Sequence, residues 1–238
     1  MYEHIFILCG GRIMLKVSPH PDYPPEEGRY LRGNDVSPVA VAIILNTDAD
    51  KIPLHIEKMV RAGIESGAAL SGTVQTENIE FEKIICNIVA NTNIRYLVLG
   101  GPESEAHLTG AALKAFMKNG VDEKKHIIGT EAPHPFLFNL PREFIERFRK
   151  QVMLIDIQFN EDPDLIRQAV WSCYQEEPVN FKGYSLYDPG AYPEPPLSGK
   201  ITWRVTQLWT ETEDETERLA LEKVKEQMEL LKAKMNKK

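Results

Sequence analysis

Two short apolar runs, each followed by a helix-forming segment, constrain the fold of this chain more than any other feature. Residues 39–45 read Val-Ala-Val-Ala-Ile-Ile-Leu, and residues 94–99 read Ile-Arg-Tyr-Leu-Val-Leu. A near-continuous apolar run without polar alternation suits a strand covered on both faces, and such strands belong to parallel sheets. The second run passes through Gly100-Gly101 into a segment carrying His107. In an open α/β sheet, the place just beyond the carboxyl end of a strand is where ligands bind.

The remaining pattern fits that start. A helix is expected over 54–66, opened by Asp48, Asp50 and Pro53. A short segment at 68–73 leads to Thr76, which reads as the cap of an amphipathic helix with Ile79, Phe81, Ile84, Ile85 and Ile88 on its apolar face. A helix over 104–119 stops at Gly120, and a short strand follows at 127–128. A helix at 141–151, a strand at 152–158 and a helix at 162–175, entered through Asp162-Pro163, complete the series. Strands alternating with helices predict βαβ units with right-handed crossovers. Residues 30–176 are thus expected to form an α/β, Rossmann-like domain: a parallel sheet with helices on both faces.

Either side of it the composition changes. Residues 1–29 read as an N-terminal arm, extended around Pro21, Pro24 and Pro25, with Met14 as an alternative start. Residues 177–238 read as a proline-rich extension, an added strand over 201–209 and an amphipathic helix over 211–238. Leu221, Val224, Met228, Leu231 and Met235 form its apolar stripe, which must be buried somewhere: against its own domain or in a homodimer, with a foreign partner as the less favoured alternative.

Charge and composition exclude several classes. A net charge of −7 argues against nucleic acid as a partner. No apolar run reaches the roughly 18–20 residues of a membrane span. The three cysteines, Cys9, Cys86 and Cys173, form no close pair, which fits a reducing, cytoplasmic setting. The first strand is not followed by G-x-G-x-x-G, and the chain has no P-loop.

His107 is the candidate ligand. It follows a Gly-Gly turn, where a ligand can approach the backbone closely. With Ser104 as the N-cap, it falls in the first helical turn, where the helix dipole favours a neutral imidazole. Ser104 and Glu105 are near enough in sequence to hold its other ring nitrogen.

Residues 105–110 also spell D-x-H-x-x-G with Glu105 for the aspartate, a pattern like the cobalt-ligand loop of many cobalamin-dependent methyltransferases. Wider spacings accompany it: Ser71-Gly72-x-x-x-Thr76-Glu77-Asn78-x-x-x-Glu82-Lys83, then Asn87-Ile88-x-x-Asn91-x-Asn93, then Gly101-x-Glu103-x-x-x-His107-x-Thr109-Gly110, then Asn119-Gly120-Val121-Asp122. Ile127-Ile128-Gly129 and Asn139-Leu140-Pro141 follow. Together they closely resemble the corrinoid-carrying MtrA component of tetrahydromethanopterin S-methyltransferase, from about 28 to 151 and weakly to 173.

The resemblance implies a cobalamin (corrinoid) cofactor with His107 as the lower axial cobalt ligand. It implies a methyl carrier of one-carbon metabolism, related to methanogenesis, that passes a methyl group from a tetrahydropterin-type donor to an acceptor. The chain would be one component of a transferase, working with a separate methyltransferase subunit. Cofactor contacts are expected from Ser71, Gly72, Thr76, Glu77, Asn78, Gly100, Gly101, Glu103, His107, Leu108, Thr109, Gly110, Gly129 and Thr130. For Glu77 and Asn78, satisfying helix amides is the other reading.

Membrane-bound members of that family end in a transmembrane helix. This chain ends in a charged one and so resembles the soluble, stand-alone relatives. The loop at 129–136 departs from the family pattern, with Ala132 in place of a second glycine and an added His134 between two prolines. The rival reading is a Rossmann-like small-molecule binder or scaffold without cobalamin.

Overall fold

The computed structural model describes residues 4–9, 12–47, 52–174 and 204–205. The chain divides into two units, Met1–Thr206 and Gln207–Lys238. The second lies outside the described residues, as do the proline-rich extension and the expected C-terminal helix.

Strands β1 (His4–Cys9) and β2 (Arg12–Val17) form a separate antiparallel pair. The main sheet holds β3 (Tyr30–Arg32), β4 (Val39–Ile44), β5 (Leu70–Val74), β6 (Tyr96–Gly100), β7 (Met153–Asp156) and β8 (Arg204–Val205). Their order is β7-β6-β4-β5-β3-β8. Strands β4 to β7 run parallel to one another, β3 is antiparallel to β5, and β8 is parallel to β3. The short β8 falls inside the stretch expected as an added strand.

The apolar run at 39–45 explains the layers. Val39, Val41, Ile43 and Leu45 point to one side, and Ala40, Ala42 and Ile44 to the other. All are buried. Helices α1 (Leu54–Glu65) and α5 (Pro163–Ser172) cover the first side through Ile56, Met59, Ile166 and Val170. Helices α2 (Ile79–Val89), α3 (Thr109–Asn119) and α4 (Arg142–Gln151) cover the second through Phe81, Ile85, Phe116 and Phe148.

Right-handed crossovers dictate that division. The step from β4 to β5 goes one way along the sheet, with α1 on one face. The steps from β5 to β6 and from β6 to β7 go the other way, which places α2, α3 and α4 on the opposite face.

Several elements differ from the sequence expectation. The segment at 68–73 holds most of β5, which runs on to Val74 and whose Leu-Ser-Gly-Thr-Val composition hides it. Residues 127–128 do not form a strand; Ile127 only bridges to Val121, and His126 to Phe136. Helix α2 is capped by Asn78, whose side chain accepts from the Ile79 amide at 2.7 Å, not by Thr76. Helix α3 begins at Thr109, not at Ser104. Within the expected arm, Tyr23 is wholly buried in the core beneath α2, α3 and α4. Asn87 on α2 holds both the amide and the carbonyl of Glu26, at 2.8 and 2.9 Å.

Candidate functional site

The direction of chain connection reverses between β4 and β6. At such a switch point two connections leave on opposite faces and open a crevice beyond the strand ends. Beside that point the connections after β5 and after β6, which both lead to helices on the same face, meet each other, and the loop between α3 and α4 joins them. Glu77 lies at their junction and is wholly buried.

Each oxygen of the Glu77 carboxylate has its own partner. Oε2 lies 2.8 Å from Nδ1 of His107, and Oε1 accepts from the backbone amide of His134 at 2.7 Å. With Glu77 ionised, its carboxylate accepts only, and the proton at this contact is then on Nδ1. In the neutral ring Nε2 then carries the lone pair. Among the described residues Nε2 has no hydrogen-bond partner, and the side chain is 32% exposed. A buried carboxylate holding one nitrogen and leaving the other open is how proteins orient a ligating imidazole.

The loop bearing His107 is fixed from several sides. The amides of His107 and Leu108 both donate to the Ser104 carbonyl, closing a tight turn. Leu108 takes a left-handed conformation with φ of 48° and leads into α3. Thr109, wholly buried, donates its hydroxyl to the Gln75 carbonyl and so ties this loop to the one after β5. Glu103 accepts from the amides of Ser104, Gly110 and Ala111 at 3.0, 2.8 and 3.0 Å. That carboxylate caps α3, which is why the helix starts at Thr109. His107 therefore sits in the turn before the helix, not within its first turn.

The sequence assigned the second ring nitrogen to Ser104 or Glu105. Glu105 is exposed and Ser104 serves as a backbone acceptor; the partner is Glu77, thirty residues upstream. Gly100 ends β6, and Gly101, the next residue, adopts φ of +88°. Gly110 packs against the Gln158 amide. Thr76 donates its amide to Glu80, as does Gln75, so the start of α2 is closed by that carboxylate and by Asn78. Gly129 and Thr130 stand in the loop whose His134 reaches Glu77.

Ser71 and Gly72 lie inside β5, within the sheet. Ser71 donates its hydroxyl to the Val60 carbonyl at 2.7 Å, and a Cβ on Gly72 would stand 2.3 Å from the Arg29 carbonyl oxygen. Ser71→Ala is expected to cost about 1 kcal/mol, or a fall in Tm of roughly 2–4 °C, and to leave ligand binding at the strand ends unchanged. Paired melting and binding curves check this.

Residues 16–187 match the family model MtrA, which describes the A component of tetrahydromethanopterin S-methyltransferase. The chain belongs to this family. The second of two such components from Methanothermobacter thermautotrophicus is 38% identical over 79% of this chain and 92% of its own length. The first, from the same organism, is also 38% identical, over 70% of this chain and 66% of its own length. Among solved structures, Est1E from Butyrivibrio proteoclasticus covers 71% of the chain at 14% identity and a TM-score of 0.22, a likeness that carries no structural argument.

The span shared with the MtrA family includes every residue of the Glu77–His107–His134 junction. Among the described residues of this family member, no helix is long and apolar enough to cross a membrane. Also among them, no three His, Cys, Asp or Glu side chains cluster as a metal site.

Proposed function

We propose that this chain is the corrinoid-carrying component of a methyltransferase and that His107 supplies the lower axial ligand to cobalt. The Glu77–His107 pair beside the switch point is the observation that carries this reading. It offers one open imidazole nitrogen. A lone protein donor suits a metal that arrives with its remaining ligands in a macrocycle, and it does not suit a bare ion, which takes three or four protein donors. The name of the MtrA family, that of a methyltransferase component, supports the same reaction class.

When bound, the corrinoid supplies a cobalt centre able to accept a methyl group and release it. The protein's own residues do the positioning. Glu77 keeps the ring proton on Nδ1 and aims Nε2 outward. The turn closed on the Ser104 carbonyl sets the height of the imidazole above the strand ends. The bond from the His134 amide draws the loop at 129–136 against the same carboxylate and narrows access by water. The methyl donor, of tetrahydropterin type, is held by a separate methyltransferase subunit that faces this crevice.

Titration of apo-protein with hydroxocobalamin, followed by visible spectra, tests the assignment. The wild type should show a ligation-dependent spectral shift, and His107→Ala should lose it. The affinity loss should exceed the roughly 10–100-fold penalty for removing an outer partner of a metal ligand. Identical spectra for the two proteins would remove His107 from the role.

A further inference from the structure

Just past β7 the chain turns at Phe159, in a conformation that favours glycine, with φ of +67°. Its side chain is 72% exposed. A bulky residue in left-handed backbone is an outlier, and here it holds a phenyl out in water. Such combinations persist where the surrounding structure enforces them, and they concentrate at ligand sites.

The enforcement is visible. The Phe159 amide donates to the Gly101 carbonyl at 2.9 Å, at the end of β6. The neighbouring Gln158 donates through Nε2 to Glu103, which caps α3, at 3.1 Å. It accepts from Lys114 Nζ at 2.8 Å. Lys114 also pairs with Asp156 at 3.3 Å, and its ammonium stands 5.7 Å from the centroid of the Phe159 ring. Gly110 leaves the room that the Gln158 amide fills, since a Cβ there would come within 2.3 Å of Nε2. The turn after β7 is thus fastened to the same loop that holds His107.

A tetrapyrrole is wider than the roughly 4.8 Å between neighbouring strands. Held by His107 in the loop after β6, it would reach past the end of that strand toward a neighbouring one. On the β7 side, the turn after the strand is tied to the Gly101 carbonyl and carries an exposed phenyl, that of Phe159. We infer that Phe159 is a binding residue for the corrin macrocycle, an apolar wall held in place by Gly101, Gln158 and Lys114. The inference rests on the corrinoid reading of the crevice.

The test uses Phe159→Ala, Phe159→Gly and Phe159→Tyr in the full chain, titrated with hydroxocobalamin, with melting curves of the apo-proteins alongside. Alanine and glycine should raise Kd about tenfold, the order expected for losing one aromatic contact, and tyrosine should retain the wild-type value. At saturation all three should keep the His107-dependent spectrum. Apo Phe159→Gly should melt at or above the wild-type temperature, because glycine accepts the positive φ. A purely structural Phe159 would not yield a stabler protein that binds more weakly. Wild-type affinity in the alanine and glycine variants, with ligation by His107 intact, overturns this inference alone. Absence of His107-dependent ligation in the wild type overturns both it and the corrinoid reading.

Discussion

Glu77→Ala will both destabilise the protein and disable its ligand site, although Glu77 itself is wholly buried. The carboxylate serves two donors at once, Nδ1 of His107 and the amide of His134. Truncation leaves that amide without its acceptor, at a cost of roughly 1–3 kcal/mol. For a chain of this size the fall in Tm is roughly 2–4 °C per kcal/mol. The imidazole, no longer held, samples other rotamers and tautomers, and cobalamin affinity should drop by roughly 10–100-fold.

Glu77→Gln separates the two effects. Glutamine fills the same volume but offers one acceptor oxygen where the carboxylate offers two. Whichever way the amide turns, it presents an NH2 group to one of the two N–H donors. Stability should fall by less than in the alanine variant, while the ligation spectrum should still weaken. Calorimetric melting and hydroxocobalamin titration of both variants provide the check. A Glu77→Gln protein with wild-type affinity and wild-type Tm would show that the carboxylate does not position His107.

The parts of this architecture that depend on local sequence were legible, and those set by contacts between distant segments were not. Strands β4 and β6 announce themselves because both faces of each are buried and nearly every residue must be apolar. Strand β5 does not. Ser71 is accommodated by a hydrogen bond to α1, and Gly72 by the closeness of β3, so its strand character comes from its neighbours. The Gly-Gly turn pointed to His107, and the resemblance named Glu77 as a cofactor contact. Their pairing joins two loops thirty residues apart, and only the order of strands brings those loops together. Local reading favoured Ser104 and Glu105 because they are close in sequence. The start of α3 was misjudged for a similar reason. Its cap is Glu103, which reaches over the intervening turn to Gly110 and Ala111. Phe159 had no signal at all, because phenylalanine is not a residue type that marks left-handed turns.

The two adjacent glycines at the end of β6 should respond very differently to alanine. Gly101 has φ of +88°, and a Cβ there would lie 2.8 Å from the carbonyl oxygen and 3.0 Å from the amide nitrogen of Ile44. Both obstacles are backbone atoms of the central strand and cannot turn aside. Left-handed backbone costs an alanine roughly 1–2 kcal/mol, and forcing packed segments apart adds about 1–3 kcal/mol. Gly101→Ala should therefore lose several kcal/mol, by the sum of those ranges. Gly100 differs in kind. A Cβ there meets the methyl ends of Ile166 and Ile43 at 3.0 and 3.2 Å, and those side chains can yield. Gly100→Ala should cost about 1 kcal/mol, near the low end of overpacking penalties.

The consequences for the site diverge in the same way. Displacing the end of β6 from β4 moves the Gly101 carbonyl that anchors Phe159 and the loop that carries His107. Gly101→Ala should thus weaken cobalamin binding even at temperatures where it remains folded, while Gly100→Ala should bind as the wild type does. Urea unfolding of the two variants, with titrations in the same buffer, decides the matter. Equal losses at the two positions would mean that the close approach of β6 to β4 does not set the height of the crevice floor.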